Sequence, residues 1–181
     1  MIGALERERP TLDTVARALL AAGCITLAVR SLAPVSIVAT ALVGVLGLIV
    51  WRPAARARVD ALRWLAVVGA GCAMFAATLA LGAGRAPERL TVSLAAAAIA
   101  AIAEEAFFRR AMYGFFERAG AAVAIAVTAL LFGLIHAPIY GWTIVPLDIA
   151  AGIVLGWQRW ASGTWTAPAV THLVANLVMF L

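Results

Sequence analysis

AAVAIAVTALLFGLIHA, residues 121–137, is the stretch that decides the fold class of this chain. It is apolar except for Thr128 and the late His136, and it contains no charged residue. A helix that crosses the hydrocarbon core of a bilayer needs about 20 mainly apolar residues. The stretch therefore predicts a membrane-spanning helix, and we expect Pro138 to close it because proline disrupts a continuing helix.

Composition extends this conclusion from one segment to the whole chain. Of 181 residues, 65% are hydrophobic and 13% are charged, whereas a soluble domain carries about 25% charged residues. So few polar side chains cannot cover a water-facing surface, and lipid must contact most of it. We expect an all-α fold, a polytopic transmembrane helix bundle with six to seven spans and no separate soluble domain.

Charged and turn-forming residues divide this single bundle into three parts. A polar N-terminal tail occupies residues 1–13, N-terminal transmembrane helices occupy 14–89, and a second set of helices occupies 90–181. The predicted spans are 14–29, 34–51, 64–81, 90–120, 121–137, 141–158 and 164–181. The first span is short because Arg17 and Arg30 bracket it, and an interfacial helix is the alternative there.

The 14 basic residues give a net charge of +5, and all of them are arginine. They stand at the edges of apolar runs, where arginine marks topology, so no nucleic-acid partner is expected. With seven spans, the positive-inside rule places the N-terminus in the cytoplasm and Arg109 within the membrane. The cytoplasmic side then carries Arg7, Arg9, Arg17, Arg52, Arg56, Arg58, Arg63, Arg110, Arg118 and Arg159, and the outer side carries Arg30, Arg85 and Arg89.

An acidic pair lies within the predicted span 90–120. Glu105 and Arg109 are four residues apart, so they share a helix face and can form an ion pair. Glu104 lies about 100° further round the helix and stays available for chemistry. Ionisable groups inside a bilayer are expensive and usually functional. The alternative is a helix end that emerges into water, since Arg110 and Arg118 follow soon after.

Both histidines of the chain lie in apolar spans. His136 ends the stretch quoted above, and His172 is followed four residues later by Asn176, on the same helix face. Asn176 can orient an imidazole ring or donate a hydrogen bond to an oxyanion. The alternative is that these are packing histidines. We expect the side chains of Glu104, His136 and His172 to lie within about 8 Å of one another, bridged by one water or metal ion.

These residues form three motifs in order: Glu-Glu-x-x-x-Arg at 104–109, Phe-x-x-x-His at 132–136 and His-x-x-x-Asn at 172–176. The chain thereby resembles the CAAX prenyl protease and bacteriocin-processing (CPBP, or Abi) family of intramembrane proteases. The stretches 152–156, 162–164 and 167–169 also look like that family. The resemblance covers about residues 90–181, and the earlier spans match only as apolar helices.

The resemblance implies a role for each motif residue. Glu104 and His136 would position and activate a water molecule, and Glu105 with Arg109 would brace the site. His172 and Asn176 would stabilise the oxyanion. Glu104, His136 and His172 are also legitimate ligands for one divalent metal such as Zn. A metal-free glutamate mechanism needs the same residues, so both alternatives stay open.

The activity implied is that of an intramembrane endopeptidase, of glutamate-dependent or metalloprotease type. Its partners would be membrane lipid and a membrane-associated protein or peptide substrate. The chain length and the arginine-only basic residues favour a bacterial inner (cytoplasmic) membrane. Farnesylated substrates are not expected in such a membrane. The resemblance instead suggests a role in bacteriocin maturation, in self-immunity or in the trimming of C-terminal sorting signals. A non-catalytic immunity or scaffold protein of the same fold and a proton or ion transporter are the competing functions.

Asp148 matches no family motif and is either a pocket acid or a hydrated side chain.

Overall fold

The computed structural model describes residues 2–30, 36–50, 60–80 and 93–178, and within these ranges every regular element is helical. The helices are α1 (Ile2–Val29), α2 (Ser36–Ile49), α3 (Ala61–Ala80), α4 (Leu94–Glu105), α5 (Tyr113–Phe116), α6 (Ala121–Tyr140), α7 (Val145–Ser162) and α8 (Thr166–Val178). A π-helical segment, Ala106–Met112, joins α4 to α5, and single 3-10 turns at Glu117–Ala119 and Trp142–Ile144 precede α6 and α7. The all-α prediction is confirmed.

The outer surface of the bundle is apolar. Two described helices, Ala61–Thr78 and Ala121–Tyr140, are long and apolar enough to cross a bilayer by length and composition, and Thr14–Val29, Ile37–Ile49 and Thr166–Val178 are shorter apolar helices. More than half of the surface of several large apolar side chains is exposed, including those of Ile25, Leu42, Ile49, Leu62 and Leu65. A surface of this kind suits contact with lipid. The count of six to seven spans stays a prediction.

Glycines with positive φ end two stretches of helix. Gly120 (φ 110°) stands where the predicted span 90–120 was expected to end, and Gly141 (φ 88°) ends α6. The prediction that Pro138 closes its helix was wrong, because α6 continues to Tyr140. Proline removes one N–H donor, and so close to the helix end the chain tolerates that loss. The N–H of Gly141 still reaches the carbonyl of Ala137 at 2.9 Å.

The predicted tail and loops are described only in part. α1 begins at Ile2, so residues 2–13 of the predicted tail belong to a helix. Most of the arginine-rich loop 52–63 and the whole turn 82–89 lie outside the described residues, and Arg52, Arg56, Arg58, Arg85 and Arg89 lie there too. The orientation of the N-terminus therefore stays a prediction.

Small residues bring the helices around α4 into close contact. α4 packs against α2 and α8, and α6 packs against α7. A Cβ atom on Gly47 of α2 would lie 2.5 Å from the carbonyl carbon of Ala106, just after α4. A Cβ atom on Gly152 of α7 would lie 2.8 Å from Cα of Ala129 on α6. Glycine at both positions lets the backbones touch, as is common between helices in membranes.

The π-helical segment follows directly after the acidic pair. The N–H of Tyr113 bonds to the carbonyl of Phe108, five residues earlier, as a π-helix requires. The buried Arg159 of α7 donates from Nε to the carbonyl oxygen of Arg109 at 3.0 Å, and its guanidinium lies 4.9 Å from the Tyr113 ring centroid. Arg159 stabilises this irregular turn, and its predicted place on the cytoplasmic side stays a prediction. Single π turns are frequent at functional sites.

Candidate active site

The acidic pair lies in the interior, at the end of α4. Glu104 and Glu105 are 2% and 0% exposed, and Arg109 is 0% exposed. Nη1 of Arg109 lies 3.2 Å from Oε1 of Glu105, so the predicted i,i+4 ion pair is confirmed. The alternative of a helix end emerging into water is wrong for these three residues, because the surrounding helices bury them. Their role in a reaction stays a prediction.

Arg109 also ties this pair to the neighbouring helices. Its Nη2 donates to the carbonyl oxygen of Gly152 on α7 at 3.1 Å. Its guanidinium lies 4.6 Å from the ring centroid of Phe132 on α6, within cation–π range. The close approach of α7 at Gly152 therefore supplies one of the hydrogen-bond acceptors that a buried guanidinium needs.

The second carboxylate faces the first histidine, as predicted. Oε2 of Glu104 lies 3.7 Å from Nε2 of His136. Nδ1 of His136 donates to the carbonyl oxygen of Phe132 at 2.8 Å. Because a carbonyl oxygen can only accept, Nδ1 carries the proton, and the neutral ring presents the Nε2 lone pair towards Glu104. Two acceptors therefore face each other across a short gap.

Arg30 contacts both of these acceptors. Nη1 of Arg30 lies 2.6 Å from Oε1 of Glu104, and Nη2 lies 3.3 Å from Nε2 of His136. Arg30 follows the last residue of α1 and is only 7% exposed. Arg30 is therefore part of the site, and its predicted place on the outer side of the membrane stays a prediction. An arginine at the edge of an apolar run normally indicates only the topology of the span. Here the fold places a buried acid, Glu104, against Arg30, and the two residues are 74 positions apart in the sequence.

Asp148, the unmatched acid, lies beside the same histidine. Its Oδ2 is 3.4 Å from Nδ1 of His136, and its side chain is 20% exposed. Of the two alternatives given above, the structure favours the pocket acid. The position carries no sequence motif, and its nearness to His136 arises because α6 and α7 pack along each other.

The second histidine joins α8 to the acidic pair. Nδ1 of His172 lies 2.9 Å from Oε1 of Glu105. The ring of Phe132 packs edge-on against both histidines, with centroids 4.7 Å from His136 and 5.6 Å from His172. The expected convergence of α4, α6 and α8 is therefore present, with the phenylalanine of the Phe-x-x-x-His motif between the two rings.

Asn176 lies against the backbone of α4. Its Nδ2 donates to the carbonyl oxygen of Ala97 at 3.3 Å. Ala97 precedes Glu104 by about two helical turns, roughly 10 Å along the axis. Asn176 therefore helps to hold α8 on α4, and its predicted role as a donor to an oxyanion stays a prediction.

The predicted metal ligands are arranged around a guanidinium. Within the described ranges, no group of three or more His, Cys, Asp or Glu side chains has the arrangement that holds a metal ion. Arg30 reaches both Glu104 and His136, and its positive charge lies where a divalent ion would have to bind them. Nδ1 of His172 donates to Glu105, as in many metal-bound histidines, so this contact is compatible with both alternatives. With the guanidinium of Arg30 in this place, a divalent metal does not fit between Glu104 and His136.

Comparison with known protein families gives a match over the second half of the chain. The model of the family described as type II CAAX prenyl endopeptidase Rce1-like matches residues 86–178, about half of the chain. This range includes the three motifs and Asp148, and it excludes Arg30 and the whole of α1, α2 and α3. Comparisons with curated proteins and with solved structures gave no match.

Proposed function

The chain belongs to the Rce1-like family of type II CAAX prenyl endopeptidases, and on that premise we propose that it is an intramembrane endopeptidase. Its substrate is a membrane-associated protein or peptide. The observation that carries this proposal is the buried Glu104 carboxylate, held 3.7 Å from the Nε2 lone pair of His136 inside an apolar bundle. Ionisable groups buried at such a place are expensive and usually functional.

In the proposed reaction, a water molecule binds beside His136 and donates a hydrogen to Oε2 of Glu104. The single lone pair of Nε2 of His136 accepts from Nη2 of Arg30, so the imidazole ring lines the water site and is not a second acceptor for the water. Glu104 takes a proton as the water oxygen attacks the carbonyl carbon of the scissile bond. The C–N bond then breaks, and the proton passes from Glu104 to the leaving amine. A positioned general base of this kind contributes about 10²–10⁴-fold to rate.

The remaining motif residues support this pair. The Glu105–Arg109 ion pair braces the end of α4, and its contact with His172 fixes one ring nitrogen of that histidine. We assign His172 and Asn176 to the oxyanion of the tetrahedral intermediate, as the resemblance implies. Donors that are already oriented before the reaction stabilise developing negative charge at little reorganisation cost.

We propose that Glu104 acts without a metal ion. The support for this choice is the arrangement of Arg30, whose guanidinium contacts both Glu104 and His136 and would repel a divalent cation. We further propose a location in a bacterial cytoplasmic membrane with a cytoplasmic N-terminus. The large apolar side chains exposed on α1, α2 and α3 support burial in lipid.

Purified protein in liposomes tests the activity. A panel of lipid-anchored and single-span peptides is incubated with the liposomes, and mass spectrometry identifies new peptide termini. We expect the wild type to produce discrete fragments and Glu104→Gln to produce none. Glu117→Gln, the same chemical change at a partly exposed glutamate outside the site, should cleave like the wild type. Equal cleavage by Glu104→Gln would contradict the proposal, and no cleavage by the wild type would favour a scaffold protein.

A further inference from the structure

One buried cation of the site comes from a part of the chain that the family match does not cover. Arg30 follows α1, whereas the match spans residues 86–178. The side chain of Arg30 is 8% exposed and that of Glu104 is 3% exposed. A role for Arg30 in the reaction rests on the proposed function, but neither the motifs nor the family assigns one.

The charges of the pocket explain why a cation is needed there. Glu104, Glu105 and Asp148 bring three carboxylates close to the two histidines. Arg109 pairs with Glu105 and donates to a backbone carbonyl on α7. Arg30 makes the direct ion pair with Glu104. A buried carboxylate without such a partner is strongly destabilised or must take up a proton, and a protonated Glu104 would not act as a base.

The two ends of the guanidinium fork have different partners. Nη1 contacts Oε1 of Glu104, and Nη2 contacts Nε2 of His136. Arginine can only donate hydrogen bonds, so its two Nη groups serve both acceptors at once: one lone pair of Oε1 and the single lone pair of Nε2. Because Oε1 is engaged, Oε2 is the oxygen that turns towards His136. The fork therefore decides which carboxylate oxygen faces the gap between base and histidine.

We propose that Arg30 is a positioning residue for hydrolysis: its planar fork holds Glu104 ionised and aimed, with Oε2 towards His136. The planar shape matters as much as the charge, because a single ammonium group does not present two parallel donors in a fixed geometry. α1 is then part of the active site and more than a membrane anchor. It delivers the side chain that aligns a base on α4 with a histidine on α6.

Steady-state kinetics in liposomes test this role, with a substrate from the peptide panel that the wild type cleaves. Arg30→Ala should lower kcat about 100-fold, the size of effect that a misplacement of about 1 Å can cause. KM should stay within about twofold, because Arg30 acts on the base and not on substrate binding. Arg30→Lys should recover part of kcat, since it keeps the charge but loses the fork. Arg17→Ala, an exposed position on the same helix, is the matched control.

Chemical rescue separates positioning from a merely structural role. Guanidinium ion added to folded Arg30→Ala protein should raise kcat with saturation, and it should leave Arg17→Ala unchanged. If Arg30→Ala does not fold, the kcat of Arg30→Lys decides, because lysine keeps the buried charge. An unchanged kcat, a raised kcat or an effect on KM alone would overturn the inference. Failure of the proposed function looks different: the wild type itself would then cleave no peptide.

Discussion

Nδ1 of His172 lies 2.9 Å from Oε1 of Glu105, and the same carboxylate oxygen lies 3.2 Å from Nη1 of Arg109. One oxygen atom thus joins α8, the end of α4 and the π-helical segment. The other oxygen, Oε2, is buried and has no hydrogen-bond partner among the residues that the structure describes. A charge held in this way stabilises the fold only while both of its partners remain. Mutation of Arg109 therefore tests whether the pair is structural.

Arg109→Ala should reduce the stability of the protein. It leaves Glu105 without its counter-charge in the interior, and the loss of one partner of a buried pair costs about 3–5 kcal/mol. Arg109→Lys should recover part of the loss, since it keeps the charge without the fork. Thermal unfolding in detergent measures both, and Arg63→Ala, at an exposed arginine, is the control. Unfolding of Arg109→Ala at the wild-type temperature would show that the pair is not structural.

Glu104→Ala, His136→Ala and His172→Ala should each abolish cleavage while the protein still inserts into membranes. Residues that act as one unit lose activity together, so a double variant should be no slower than the slower single variant. Cleavage assays on equal amounts of folded protein, quantified by size-exclusion chromatography, measure this. Near-normal turnover by any one variant would remove that residue from the site.

Asp148→Asn should lower kcat by about tenfold, less than the loss of a principal catalytic group. Asp148 lies 3.4 Å from Nδ1 of His136, but the carbonyl of Phe132 accepts from the same nitrogen at 2.8 Å and keeps the ring in place. The asparagine removes the negative charge and leaves the shape. Asp60→Asn, at an exposed acid before α3, is the matched control for the kinetic assay. A loss as large as that of His136→Ala would give Asp148 a direct part in the reaction.

Treatment with a strong chelator should leave the cleavage rate unchanged. The expected reason is that the guanidinium of Arg30 and a divalent ion cannot both contact Glu104 and His136. Cleavage is measured before and after treatment, and bound metal is measured by elemental analysis of the purified protein. A rate lost with the chelator and restored by Zn²⁺ would instead show that Glu104, His136 and His172 rearrange to bind an ion.

Features that depend on neighbouring residues could be predicted from the sequence. The apolar stretch 121–137 predicts a helix in lipid because the composition of one segment is sufficient for that conclusion. The Glu105–Arg109 pair follows from helix geometry alone, since residues four apart meet on one face. The same geometry places Glu104 on another face. Three motifs in order then identify which polar groups belong together, before any contact between helices is known.

Contacts between distant segments depend on how the helices pack, and no local pattern encodes them. From the sequence, Arg30 looks like the edge of a span. Only the packing of α1 against α2 and α6 brings it to Glu104, 74 residues away. Asp148 meets His136 because glycines let α7 approach α6 closely. Local helix geometry is the same in every turn and can be applied to the sequence directly. A buried charge must have a partner because an unpaired one is too costly. Which residue becomes that partner is decided by how the helices pack.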